Sequence, residues 1–434
     1  MKRVSVFGMG YVGCVTAACL SRDGHHVIGV DVDAEKIAAL AAGHTPVHEP
    51  GLDELVRQQV AVGRLEATQD VERAVRESEI ALVCVGTPSR DDGSVCTRAV
   101  QRVVRAIGEE IRRHQKRMTV VVRSTLLPGI LEDELAPLLE EAAGSEIGEQ
   151  LGLCNNPEFL RESTAIRDYD QPPFIVVGAA ESWQAQAALD LYEQVHAEHI
   201  VTDTRTAALI KYACNAFHAL KIAFANEVGT LAQSLSANGH EVMRIVCRDR
   251  KLNISPAYMR PGFAFGGSCL PKDLRALNRH AEREALKAPL LGSILPSNTL
   301  HLQRAIGMVE QVGVRRVGMA GLSFKANTDD LRESPQVILA EALLGRGYDL
   351  RIYDPGISLG RLTGRNLAYV DRHLPHLAAL MVDEPGQLFE HAELLVLCTD
   401  VAEALDVSGS YSGELLDLRK DMAMPQVRTA GVAT

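Results

Sequence analysis

The chain runs to 434 residues, too long for one ordinary core, so two or three domains are expected. Apolar residues at 46% and charged residues at 23% are ordinary for a globular protein, and no window approaches the roughly 18 uninterrupted apolar residues of a membrane span. A formal net charge of −11 argues against a general nucleic-acid surface but leaves room for a phosphorylated small molecule held by a few local cations.

The first run, Met1-Lys2-Arg3-Val4-Ser5-Val6-Phe7-Gly8, enters a strand at once and lacks the apolar h-region and cleavage site of a signal peptide. Gly8-Met9-Gly10-Tyr11-Val12-Gly13 follows that strand and opens a helix, and Asp31 ends the next strand. This is a dinucleotide-binding context. The glycines allow a tight turn and close approach of pyrophosphate to the helix N-terminus, while Asp31 holds ribose hydroxyls and repels a 2′-phosphate, favouring NAD over NADP. Lys36 is a further candidate contact on the adenosine side. Thr87 follows the strand at 80–85 and Thr125 follows Thr119-Val120-Val121-Val122. Ligands bind outside the carboxyl ends of such strands, so both threonines can line the cofactor cleft, although Thr is also an ordinary turn residue there.

Asn155-Asn156-Pro157-Glu158-Phe159-Leu160-Arg161-Glu162 places two carboxylates four apart. A helix starting after Pro157 would put both on one side, either as acids favoured by the dipole or as a base that activates water. A long helical pattern then runs from about Thr204 to Ser236, roughly 50 Å at 1.5 Å per residue. Lys211, Asn215, His218, Ile222 and Asn226 form one stripe on it, read as facing a polar ligand, buried water or solvent, with Lys211 and Asn215 able to hold an oxyanion. Leu252 to Gly267 is rich in Gly, Pro and aromatics and reads as a loop over a site. It leads into Gly266-Gly267-Ser268-Cys269-Leu270-Pro271-Lys272-Asp273, where the cysteine follows two glycines that permit close approach to a ligand. A thiolate is both a strong nucleophile and a good leaving group, and neighbouring lysines favour it.

The strand series near 4–8, 24–31 and 78–87 is echoed near 317–321, 347–354 and 392–399, each reading as strand, strand ending in Asp, strand ending in Thr. The fold expected is α/β: two Rossmann-like parallel-sheet domains joined by a long central helix. The divisions expected are 1–202 for the NAD-binding domain, 203–300 for a central helical region and 301–434 for the second Rossmann-like domain. Nine cysteines are scattered without paired spacing, which fits free thiols in a reducing cytoplasm, and no Cys/His set reads as a metal site.

Together these segments resemble the UDP-glucose/GDP-mannose dehydrogenase family, most specifically at Asn156–Glu162, Gly266–Asp273 and Phe324-Lys325 through Pro335. Tyr258-Met259-Arg260-Pro261-Gly262-Phe263-Ala264-Phe265-Gly266-Gly267 is similar to the GDP-mannose branch, although Ala257 stands where that branch has a tyrosine. Pro172-Pro173-Phe174 stands where UDP-sugar members read Pro-Asp-Arg. The resemblance implies NAD-dependent four-electron oxidation of a sugar-nucleotide C6 alcohol to a carboxylate, with GDP-mannose as substrate and a UDP-hexose as the alternative. It implies a soluble cytoplasmic enzyme of polysaccharide biosynthesis, of the alginate type. By the same resemblance, Cys269 is the nucleophile, Lys211 and Asn215 hold the oxyanion, Glu158 and Asp273 position or deprotonate water, and Thr125 orders that water. Lys272 and Arg332 lie toward NAD. Glu162, His218, Asn226, Tyr258, Arg260, Phe263, Gly266 and Lys325 contact the sugar nucleotide. A homodimer on the long helix is also implied, with higher order left open. A single-step hydroxyacid dehydrogenase needs no such cysteine, and a catalytically silent sugar-nucleotide sensor needs no set of Cys269, Lys211, Asn215 and Glu158.

Overall fold

The structure, a computed structural model, describes residues 1–92, 94–148, 150–255, 258, 262–267, 269–324, 330–357, 362, 364–405 and 407–419. Arg260, Lys325 and Ala257 lie outside the described residues. The chain divides into two compact units, Met1–Ala219 and Leu220–Thr434, each with its own sheet.

The first unit is built on eight strands: β1 (Arg3–Phe7), β2 (His26–Val30), β3 (Leu65–Thr68), β4 (Ile80–Val83), β5 (Met118–Val122), β6 (Leu151–Asn155), β7 (Phe174–Ala179) and β8 (Glu198–Thr202). Their order is β3-β2-β1-β4-β5-β6-β7-β8, parallel throughout except at β6–β7. Both faces of the sheet are covered along β1, β2 and β4 to β7, so these strands read as largely apolar runs and the period-2 pattern sorts side chains between two cores. Val4 and Val6 enter one core with Val15, Ala18 and Cys19 of the helix Tyr11–Arg22, whereas Phe7 enters the other with Val104 and Ile107 of the helix Arg98–His114.

The second unit carries four parallel strands, β9 (Arg316–Ala320), β10 (Asp349–Tyr353), β11 (Leu394–Leu397) and β12 (Glu414–Asp417), in the order β10-β9-β11-β12. This repeats the order β2-β1-β4-β5, so the echo in sequence is an echo in topology. The long helix spans Thr204–Ser234 and contributes to both units. Among the described residues no helix is long and apolar enough to cross a membrane.

Candidate active site

In the first unit, the turn after β1 fits a dinucleotide. Gly8 has φ +99°, and a Cβ on Gly13 would lie 1.8 Å from the Gly8 carbonyl oxygen, so the helix can start this close to the strand only with glycine there. The Met9 N–H donates to Asp31 Oδ2 at 2.7 Å, and Lys36 Nζ lies 3.4 Å from the same oxygen. Tyr11 and Val12 open the helix, and Tyr11 donates its hydroxyl to Glu49. A cavity of about 290 Å³ runs beside Gly8 and Asp31, walled by Val32, Val71, Val85, Val103 and Ala106. These apolar walls are distant in sequence, and no motif marks them. They provide an apolar surface of the kind an adenine ring needs. Thr87 donates its hydroxyl to the Thr125 carbonyl at 3.0 Å, so the two threonines sit together beyond the ends of β4 and β5.

The segment after β6 corrects the sequence-based expectation. No helix follows Pro157; the nearest is Ala165–Asp170. The reason is local competition for N–H groups. Leu160 N–H donates to Glu158 Oε2 at 2.7 Å and Arg161 N–H to Asp168 Oδ2 at 3.0 Å. Glu158 and Glu162 therefore part: Glu162 is exposed, while Glu158 pairs with Lys211 Nζ at 3.0 Å. Both side chains of that pair are about nine-tenths buried, at 11% and 10% exposed. The ammonium also lies 5.5 Å from the centre of the Phe159 ring, which packs edge-on against Phe174. Of the predicted stripe on the long helix, only Lys211 is buried; Asn215, His218, Ile222 and Asn226 are exposed.

Beneath Glu158 is a group that sequence reasoning missed. Arg123 is buried, at 5% exposed, with Nη1 donating to Asn156 Oδ1 at 2.6 Å and contacting the Tyr192 hydroxyl. Asn156 in turn donates to the Val176 carbonyl at 2.8 Å, which anchors the turn just before Pro157-Glu158. The signal available was the charged Arg123 at the end of an otherwise apolar strand.

In the second unit, Cys269 is exposed and forms the N-cap of the helix Leu270–Arg283, at the positive end of its dipole. Lys272 and Arg332 both lie within electrostatic reach of the thiol. Lys272 donates to Asp273 at 2.6 Å, which holds its ammonium above the ordinary value, and Arg332 forks onto Asp330 at 2.8 and 2.7 Å. The first of the two glycines before the cysteine has a packing role besides the one read in sequence. A Cβ on Gly266 would meet the Glu333 carbonyl oxygen at 2.2 Å, so the close approach seen is to the chain itself. Phe263 is half-buried, and Tyr258 is 87% exposed with φ +61°. The loop is held from the helix Pro289–Val312: Asn298 exchanges two hydrogen bonds with the Phe265 backbone, at 2.9 and 2.8 Å, and His301 bonds the Gly262 carbonyl at 2.7 Å.

Three consecutive regions match models of one family: residues 2–196 its NAD binding domain, 205–299 its central domain and 318–420 its UDP binding domain. The chain belongs to the UDP-glucose/GDP-mannose dehydrogenase family. It is 45% identical over 430 residues to a GDP-mannose 6-dehydrogenase of Pseudomonas putida, covering 99% of this chain and 98% of that one. A UDP-glucose 6-dehydrogenase of Haloferax volcanii is 36% identical over 360 residues, covering 81% of this chain and 83% of that one. The fold matches a ternary complex of GDP-mannose dehydrogenase from Pseudomonas aeruginosa with a TM-score of 0.91, at 44% identity and 96% coverage of both chains. Membership in this family makes the protein an NAD-dependent nucleotide-sugar dehydrogenase, and the turn at Gly8–Gly13 with Asp31 and its apolar cavity is a fitting cradle for NAD.

Proposed function

We propose that the protein oxidises C6 of GDP-mannose to the carboxylate of GDP-mannuronate, reducing two NAD+ and consuming one water per turnover. The observation that carries the substrate is the near full-length similarity to GDP-mannose 6-dehydrogenases, which exceeds that to the UDP-glucose enzyme. Bound NAD+ accepts the hydride in each of the two oxidations.

The residues supply the rest. Cys269 Sγ adds to the C6 aldehyde as a thiohemiacetal, loss of hydride leaves a thioester, and water releases the acid and restores the thiol. Lys211 and Asn215 hold the oxyanion at each tetrahedral stage. Glu158 and Asp273 position or deprotonate the water, with Thr125 ordering it. The buried contact of Glu158 with Lys211 supports a shared role, because each side chain holds the other in place at the site. Gly8, Gly10, Tyr11, Val12, Gly13, Asp31, Lys36, Thr87, Lys272 and Arg332 serve the cofactor. Glu162, His218, Asn226, Tyr258, Arg260, Phe263, Gly266 and Lys325 serve the sugar nucleotide.

A homodimer through the long helix is part of this reading. Leu209, Phe217, Leu220 and Phe224 on that helix are between 37% and 56% exposed, an apolar face suited to a second copy. The cytoplasm is the compartment proposed, since NAD and nucleotide sugars are made available there and no disulfide joins any of the nine cysteines. An NADH-production assay across GDP-mannose, UDP-glucose and UDP-N-acetyl sugars tests the assignment. Two NADH per GDP-mannose is the expected result; one NADH, or turnover of a UDP-hexose alone, overturns it.

A further inference from the structure

Glu49 belongs to none of the roles above, yet its carboxylate joins two of them. It is 5% exposed, and among the described residues it has no ion-pair partner. A buried carboxylate is costly unless its lone pairs are taken by donors, and here three donors take them. Oε2 accepts the Tyr11 hydroxyl and the Ser163 N–H at 2.8 Å, and Oε1 accepts the Ala165 N–H at 2.8 Å. Burial and the Glu49 bond both keep the Tyr11 phenol protonated, so it stays a donor.

The two ends of this clamp matter. Tyr11 is the first residue of the helix that follows Gly10, at the dinucleotide turn. Ser163 holds φ +68°, a left-handed conformation unfavourable for serine, in the turn that follows Glu158 and Glu162. The N–H groups of Ser163 and Ala165 bind one carboxylate, and that pins the strained Ser163 through its own amide and through the start of the next helix. The Tyr11 hydroxyl also reaches the Arg161 carbonyl at 3.5 Å.

We infer that Glu49 is a positioning residue that ties the dinucleotide turn at Tyr11 to the Arg161–Ala165 turn, so that NAD+ binding orders the segment carrying Glu158 and Glu162. This rests on the reading of Tyr11 as a cofactor residue and of Glu162 as a sugar-nucleotide residue. The physical consequence is energetic coupling between the two ligands through one buried side chain.

Hydrogen exchange at the Ser163 and Ala165 amides, with and without NAD+, reads the coupling whatever sugar nucleotide the enzyme uses. In the wild type NAD+ should slow both amides, and in Tyr11→Phe, which loses one hydroxyl, the slowing should vanish although NAD+ still binds in a parallel titration. Glu49→Gln, which puts an amide NH2 against a backbone donor, should speed exchange at one or both amides even without NAD+. At saturating NAD+, Tyr11→Phe should raise KM for GDP-mannose roughly tenfold with a smaller change in kcat. A wild type that binds NAD+ without protecting these amides overturns the coupling alone, as does full protection in Tyr11→Phe. A wild type that binds no NAD+ overturns the cofactor reading on which the coupling rests.

Discussion

At the first βα turn of the N-terminal sheet, the carboxylate after the second strand, Asp31, accepts the Met9 N–H. At the same turn of the C-terminal sheet, Asp354 accepts the N–H groups of Leu322 and Ser323 at 2.9 and 3.2 Å. The backbone problem and its solution are the same, but the surroundings differ. Asp31 sits beside Lys36 and an apolar cavity, whereas Asp354 is 3% exposed and also takes the Ser323 hydroxyl and the Gly356 N–H. An aspartate ending the second strand is therefore a structural strut in both sheets. Beside Asp31 the neighbouring walls leave room for the ligand proposed there. The ion pairs proposed for the chemistry differ in the same way: Glu158–Lys211 in the first unit is buried, and Lys272–Asp273 in the second is exposed at 64% and 66%.

The largest expected effect tests whether the exposed group of the second unit carries the chemistry. Cys269→Ser should lower NADH production by about a thousandfold or more, because an alkoxide leaves poorly from an ester and a serine is a weak nucleophile at neutral pH. Unchanged turnover would remove Cys269 from the mechanism. Next, Lys211→Met strands Glu158 in a buried site and should cost about 3–5 kcal/mol of stability. Lys272→Met, on the exposed pair, should leave the calorimetric melting temperature in place; equal losses from both variants would erase the contrast between the units.

The two aspartates separate more finely. Asp354→Asn should destabilise the protein by about 1–3 kcal/mol, since one of its backbone donors then faces an amide NH2, and leave KM for NAD+ unchanged. Asp31→Asn should raise KM for NAD+ severalfold and weaken discrimination against NADP+. An exchange of these outcomes would break the assignment of which turn binds the dinucleotide. The smallest effect is one of pH. His25 N–H donates to Leu20 O at 3.1 Å just before β2, and Tyr348 N–H donates to Leu343 O at 3.1 Å just before β10. Burial, with a smaller contribution from the nearby N-terminal amine, holds the His25 imidazole below its ordinary value. The unfolded chain therefore takes up this proton first. Stability is complete above the ordinary histidine value and falls as pH drops below it, by at most about 1.4 kcal/mol per pH unit. His25→Gln should flatten that part of the pH–stability curve measured by urea unfolding; an unaltered slope would show that His25 does not set it.

Much of the molecule was legible from residue order. Strand runs, the Gly8–Gly13 turn with Asp31, the long helix and the repeated strand series depend on steric rules and periodicities that act within a few residues, and the structure follows them. The segment after Pro157 went the other way, because Asp168 and the Glu158 side chain captured the N–H groups a helix would have used.

What residue order determined, then, was backbone character and the kinds of reactive group the chain carries: a thiol at a helix start, a lysine on a long helix, carboxylates after a strand. Tertiary structure alone decided which of these meet. It buried Lys211 against Glu158, packed Gly266 onto Glu333, enclosed Arg123 under Asn156 and set Glu49 between Tyr11 and Ser163. Each of these pairings depends on desolvation, and desolvation is a property of the assembled core that no local pattern in the chain records.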